Sequence, residues 1–241
     1  MIDPSATDGD GRFLGTVTAA ACHDLMNVYA TFTQAFGLME DCLAADSRTR
    51  LKSLGFKGGF EHKERFQELL KMLRGQLSRA VGLTEALALA AHSLERAGRP
   101  ASPPEAIAAM LLLCERLLKR RKLTVTLDAA ACAGDGPWPA LRQADYLAPL
   151  LDTLLACLPH VPMGAELRLT CQADAGRLRL TLGQADGRFP AEAREACQGI
   201  ACVAAGAALL PGAPDAPLTL VFQDTPTSTP ASCPQGAGQA S

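Results

Sequence analysis

The sequence lacks a surplus of either charge, and it lacks a long uninterrupted apolar run. Lys and Arg number 23 and Asp and Glu number 25, so the formal net charge is −2. Because nucleic acids and anionic membranes attract a basic surplus, this balance argues against a general binder of either. The Ala-rich stretch near 196–210 comes closest to an apolar run, but Gly199, Gly206 and Pro211 interrupt it. No membrane-spanning helix is therefore predicted.

The sequence also lacks a paired-cysteine motif. The nine cysteines are odd in number and scattered, which is typical of buried thiols in a reducing compartment rather than of a disulfide framework. The four histidines share no ligand-like spacing with the cysteines, so no metal site is predicted. Residues 1–12 are polar and acidic and show no signal peptide. We therefore expect a cytoplasmic protein.

Composition and periodicity divide the chain into four parts. Residues 1–12 are predicted to be a disordered lead, and residues 224–241, rich in Pro, Ser, Thr and Gly, a disordered tail. Residues 13–99 show helical periodicity. In residues 100–223, short alternating β-like runs separate helical stretches in the order α β α β β α β. This order predicts an α+β fold, with one sheet and helices on one of its faces.

Two long helices are predicted in the first half, over about 14–45 and about 61–97. Apolar residues recur three and four residues apart in both, as in a heptad-like seam. The first seam comprises Val17, Ala21, Leu25, Val28, Phe32, Ala35, Met39 and Leu43. A hairpin of two such helices leaves one apolar side uncovered. Either the rest of the chain covers it, or a second copy completes a four-helix bundle.

His23 is the candidate reactive residue. At about 100° per residue it lies about 200° from both Ala21 and Leu25 of the seam, so its ring is predicted to face solvent. Asn27 follows one turn later on the same side, and Asp24 is adjacent. An accessible neutral imidazole can act as a nucleophile towards a macromolecular partner. The spacing alone also fits a surface histidine without a chemical role.

The string Cys22-His23-Asp24-Leu25-Met26-Asn27 resembles the H-box of bacterial histidine kinases, which reads His, Asp or Glu, Leu, any residue, Asn. In that family the H-box lies in the first helix of a dimerising helical hairpin, and a smaller ATPase-like lobe follows. The order of elements over about residues 14–223 is similar. The resemblance implies that His23 is a phospho-acceptor and that the hairpin forms a dimeric four-helix bundle.

The second half departs from the kinase pattern where nucleotide would bind. In the helix predicted over 141–158, the positions of the two family asparagines fall on Asp152 and Ala156, and alanine offers no ligand oxygen to Mg²⁺. The family's Asp-x-Gly-x-Gly loop is reduced to Asp186–Gly187, and the aspartate that would read adenine falls near Gln184. A later Gly-rich lid is missing. The lobe is therefore expected to be a degenerate ATPase-like α/β sandwich that does not bind ATP.

An H-box without an ATP site resembles the kinase-derived dimeric histidine phosphotransferases of bacterial phosphorelays (ChpT type). The resemblance implies that His23 takes a phosphoryl group from one receiver-domain aspartate and passes it to another. Asp24 is expected to orient the imidazole or take its proton, as the second catalytic residue. Asn27, Thr31 and Gln34 lie on the same helix face and are expected to contact the receiver.

The same resemblance sets the expected partners. They are response-regulator receiver domains, a second copy of this chain and a hybrid histidine kinase, with neither nucleic acid nor membrane among them. The Mg²⁺ for transfer is expected in the receiver, so this chain is predicted to bind no cofactor and no metal of its own. Two alternatives remain: a divergent but active histidine kinase, which ATP binding would favour, and a non-enzymatic adaptor, which an unreactive His23 would favour.

Overall fold

The protein is described by a computed structural model that covers residues 4–52, 62–94, 102–128, 132, 138–139, 141–174, 176–184, 186, 188–201, 207–210, 212–213 and 216–223. Its elements in chain order are α1 (Pro4–Lys52), α2 (Lys63–His92), α3 (Pro103–Lys119), β1 (Thr124–Leu127), α4 (Gln143–Cys157), β2 (Glu166–Asp174), β3 (Arg177–Gln184), α5 (Ala191–Ala201), β4 (Ala207–Leu209) and β5 (Leu218–Gln223). The α+β class is confirmed. The predicted tail, 224–241, lies outside the described residues.

Helix α1 begins earlier than the sequence indicates. It starts at Pro4, a residue that is tolerated in a first helical turn, so residues 4–12 are helical where a disordered lead is predicted. Two ion pairs hold this segment against α4 and the residue before it: Asp10 with Arg142 at 3.3 Å, and Arg12 with Asp152 at 3.5 Å. Burial of Phe13 adds apolar contact. Together these contacts offset the low helix propensity of the local glycines.

The second half forms a five-stranded sheet in the order β1-β2-β3-β5-β4. Strands β1 and β2 are parallel and are joined through α4, while the remaining pairs are antiparallel. Alternate strand residues such as Leu167, Leu169, Leu180 and Phe222 are buried and join side chains of α3, α4 and α5 in one core. The short strand β4 is not predicted from the sequence, because its three residues are defined by pairing with β5.

The half of the hairpin that contains His23 shares this core. Phe13, Val17 and Ala21 of α1 and Leu83 and Ala86 of α2 belong to the same apolar cluster as the sheet. The cluster therefore runs across the predicted boundary at residues 99–100. The distal half of the hairpin has a separate cluster of Ala35, Met39, Leu69 and Leu73, with Phe32 and Phe66 packed against it.

One face of the hairpin exposes apolar side chains. They are Tyr29, Phe36 and Leu43 on α1, and Leu70, Leu77 and Val81 on α2. At about 100° per residue, both sets lie on the same side of the antiparallel pair. We call this set of six residues the apolar hairpin face. Within the described part of the chain, no helix is long and apolar enough to cross a membrane.

Candidate functional site

His23 lies on α1 with its side chain facing solvent, as predicted. Its side chain is 48% exposed, since the buried stripe of the helix runs through Val17, Ala21 and Val28 on another side. Both polar side chains that contact the ring do so at Nδ1. The Asn27 Nδ2 atom lies 3.1 Å from Nδ1, and the Asp24 Oδ1 atom lies 3.8 Å from it.

The contacts at Nδ1 determine which ring nitrogen can carry the proton. The Asn27 amide can donate a hydrogen bond from Nδ2 to an unprotonated Nδ1. If the amide group is rotated by 180°, its oxygen can instead accept a hydrogen bond from a protonated Nδ1. Asp24 is an acceptor only when it is ionised. With the amide turned in this second way, both Asn27 and the Asp24 carboxylate favour the tautomer that carries its proton on Nδ1. In that tautomer Nε2 holds the lone pair and is the ring nitrogen that can attack an electrophile.

Asp24 is buried, unlike His23, and belongs to the helix seam. Only 8% of its side chain is exposed, whereas Leu25, expected in the seam, is partly buried. The Arg79 Nη2 atom of α2 donates to Asp24 Oδ2 at 2.9 Å. One carboxylate oxygen therefore faces the imidazole, and the other is held by a guanidinium from the second helix.

The ion pairs continue into the lobe. Arg79 Nη2 also lies 2.8 Å from Glu115 Oε2 of α3, and Glu115 Oε1 lies 2.5 Å from Lys119 Nζ one turn later. Burial opposes ionisation of Glu115, but its contacts with Lys119 and Arg79 outweigh that and lower its pKa. Burial likewise opposes the charge on Arg79, while Glu115 and Asp24 raise the Arg79 pKa. Glu115 and Arg79 therefore form an ion pair of two charged groups at neutral pH.

The predicted receiver-contacting residues continue along α1 from His23. Asn27 is exposed, Thr31 is half-buried and Gln34 is exposed. The Thr31 hydroxyl donates to the Asn27 backbone oxygen at 2.9 Å, which turns its polar atom towards the helix backbone. The predicted receiver-contacting surface, from His23 to Gln34, spans about 16 Å at the helical rise of 1.5 Å per residue. The apolar hairpin face lies on the opposite side of the hairpin.

The α4 positions predicted to have lost their nucleotide ligands are occupied by contacts within the chain. Burial raises the pKa of Asp152, and its ion pair with Arg12 of α1 opposes that rise. Ala156 is half-buried against the core. On the neighbouring turn, the buried Cys197 thiol of α5 donates to the Thr153 backbone oxygen at 3.6 Å. Helices α4 and α5 are therefore in direct contact here.

The segment that follows β3 is a tight turn. The Gln184 backbone N–H donates to the Arg188 backbone oxygen at 2.7 Å, which closes the chain around Asp186. A Cβ added at Gly183 would lie 3.3 Å from Pro217 Cβ. The buried Arg194 of α5 donates to the backbone oxygens of Ala216 and Pro217. Side chains of the lobe itself thus hold this corner closed.

Arg79, Glu115 and Lys119 are not predicted from the sequence to be part of the site. A signal existed for Arg79, because it begins the series Arg79, Leu83, Ala86 and Ala90, spaced by four, three and four residues. A charged residue within a buried stripe requires a partner of opposite charge. The pairing of that stripe with the one containing Asp24 depends on the helices' relative register, which periodicity does not specify.

No protein-family model and no curated protein matches this sequence. Several solved structures are similar over most of their length. A bacterial phosphotransferase is 14% identical, covering 87% of this chain and 95% of that one, with a TM-score of 0.36. The histidine kinase AdeS of Acinetobacter baumannii is 13% identical, covering 80% and 96%, with a TM-score of 0.35. A histidine kinase of Burkholderia phymatum is 15% identical, covering 92% and 97%, with a TM-score of 0.34.

Proposed function

We propose that this protein is a histidine phosphotransferase that relays a phosphoryl group between receiver-domain aspartates through His23, in a bacterial two-component phosphorelay. The single observation that carries the proposal is the environment of His23. Its ring is half exposed, and its Nδ1 atom faces Asn27 and a buried carboxylate. The proposal assigns the attack to Nε2.

The proposed step balances in atoms and charge. The Nε2 lone pair attacks the phosphorus of an aspartyl phosphate, a P–N bond forms, and the P–O bond to the aspartate breaks with a carboxylate leaving. The ring then carries an Nδ1 proton and a positive charge, which the Asp24 carboxylate stabilises and relieves by taking that proton. In-line approach supplies most of the remaining catalysis, because phosphoryl transfer depends mainly on positioning and charge compensation. Transfer to a second aspartate reverses these steps.

The proposal assigns no ATP chemistry to the lobe. Ala156 has no ligand oxygen, Asp152 is paired with Arg12, and α4 contacts α5 directly. The turn at Gln184–Arg188 is closed by its own backbone hydrogen bond. These contacts support a lobe that serves as a docking platform rather than as a kinase domain.

A homodimer is part of the proposal. The apolar hairpin face is exposed along both helices, and a second hairpin placed against it would form a four-helix bundle. His23 and Asn27 lie on the other side, so dimerisation would leave them accessible. A receiver domain could then reach each His23 without displacing the partner subunit.

The decisive experiment is transfer from isotopically labelled phospho-receivers to the full-length chain, with labelled ATP in a parallel reaction. The test variant is His23→Ala, and His160→Ala is the matched control, because His160 is an exposed histidine on the lobe. We expect label from a receiver on the wild type and on His160→Ala, none on His23→Ala, and none from ATP.

Each other outcome contradicts the proposal in a distinct way. Label taken directly from ATP would identify a kinase and overturn the account of the lobe. Receivers that bind without labelling the chain would identify an adaptor. Equal labelling of His23→Ala and the wild type would place the acceptor at another residue.

A further inference from the structure

The Asp24 carboxylate poses an electrostatic problem for the nucleophile beside it. A nearby negative charge stabilises the protonated imidazolium, and an imidazolium has no lone pair with which to attack phosphorus. Asp24 Oδ1 lies 3.8 Å from His23 Nδ1, close enough for this effect. An uncompensated Asp24 would therefore remove part of the reactive form near neutral pH.

The structure supplies a compensating charge from outside the H-box. Arg79 Nη2 lies 2.9 Å from Asp24 Oδ2, on the oxygen that does not face the ring. The same nitrogen lies 2.8 Å from Glu115 Oε2, which lies on α3 and is itself paired with Lys119. The charges alternate in sign from α1 through α2 to α3. Within the described part of the chain, these are the charged groups that the ion pairs bring to Asp24 and Arg79 from the adjoining helices.

We propose that Arg79 is a positioning residue that compensates the Asp24 charge beside the His23 imidazole, and that Glu115 tunes this compensation from the lobe. The inference rests on the proposed phosphotransfer function and deepens it. Because Arg79 Nη2 is shared, the charge of Glu115 decides how much of the guanidinium's positive charge is available to Asp24. The lobe thereby acts on the reactive histidine without touching it.

Because Asp24 and Glu115 share the Arg79 guanidinium, two variants should shift the protonation of His23 in opposite directions. Arg79→Gln leaves Asp24 uncompensated, so the His23 ring should take up its proton at a pH about half a unit higher. Glu115→Gln gives Asp24 a larger share of Arg79, so protonation should move to lower pH by a smaller amount. Arg79→Lys retains the charge and should restore most of the wild-type behaviour. Arg74→Gln, the same change at an exposed site on α2, is the matched control.

The measurement is a pH titration of the ring nitrogens by ¹⁵N NMR on the full-length chain, with the His23 signals assigned from their absence in His23→Ala. Opposite shifts for Arg79→Gln and Glu115→Gln support the inference. Shifts in the same direction, or a shift of Arg79→Gln no larger than that of Arg74→Gln, overturn it. If Arg79→Gln does not fold, the direction of the Glu115→Gln shift decides alone.

This test separates the inference from the proposed function, because the titration needs no phosphoryl transfer. Shifts as expected in a protein that takes no label would reject the phosphotransferase and keep the electrostatic coupling. Labelling of His23 without these shifts would support the phosphotransferase and reject the electrostatic coupling. In an active protein, uptake by Arg79→Gln should fall about threefold near pH 6 and recover above pH 8, a recovery that general structural damage would not show.

Discussion

Asp24 Oδ2 and Arg79 Nη2 lie 2.9 Å apart and join the two hairpin helices through a charge pair in a seam whose neighbouring positions are apolar. Asp24 is buried, while Arg79 is about one-third exposed. The pair lies beside the proposed phospho-acceptor and at the point where the hairpin meets α3. The pair therefore contacts both the His23 ring and Glu115 of α3 while it joins α1 to α2.

Removing Arg79 should destabilise the fold more than removing the charge of Asp24. Arg79→Gln leaves the buried Asp24 charge unpaired and should lower the free energy of unfolding by about 2 kcal/mol. Asp24→Asn should cost less, because Arg79 retains Glu115. Urea denaturation of both single variants and the double variant measures the coupling. Additive losses in the double variant would show that the two residues do not interact energetically.

Asn27 should affect the rate of transfer more than the stability. Asn27→Ala removes the amide that contacts His23 Nδ1 and frees the ring to rotate, so phosphoryl uptake should slow by about three- to tenfold. The comparison is Thr33→Ala, an exposed α1 residue whose hydroxyl bonds its own helix backbone. Rates are read from a time course of labelling. An unchanged rate in Asn27→Ala would assign the ring orientation to another contact.

Glu115 should stabilise the protein only while it is ionised. Its pKa is lowered in the folded chain, so its contribution is present above the unfolded value of 4.5 and is lost as the pH falls through the lower folded value. Glu115→Gln should therefore be less stable than the wild type at pH 7, and the difference should shrink below about pH 4. Denaturant midpoints across this range provide the measurement. A difference independent of pH would mean that packing, not charge, accounts for it.

The apolar hairpin face should hold two subunits together. Leu77 is 55% exposed at its centre, and Leu77→Glu would place two charges in the proposed bundle core, so the molar mass in solution should fall by half. Light scattering after size exclusion gives the mass. Met163→Glu, at a lobe residue that is 63% exposed, should leave the mass unchanged. A wild-type monomer would contradict the dimer directly.

The local features of the site could be predicted from the sequence. The outward direction of His23, the shared face of Asn27 and the alternating strands of the lobe follow from the periods of a helix and a strand, which act over a few residues. The same periodicity placed Leu25 rather than Asp24 in the seam, because hydrophobicity alone cannot reveal a buried carboxylate whose partner is on another helix. Residues 4–12 were predicted to be disordered but are helical. Their ion pairs with Arg142 and Asp152 stabilise the helix, and periodicity cannot reveal contacts with distant parts of the chain.

Which residues share a helix face or a strand face follows from the sequence alone, because covalent spacing and backbone geometry are sufficient for that. The contacts of Arg79 with Asp24 and Glu115 arise from tertiary packing. Those contacts depend on the register of α1 against α2 and on the docking of α3, which are set by packing over the whole core. The proposed nucleophile thus lies in one short sequence motif, and its electrostatic environment depends on the packing of three helices.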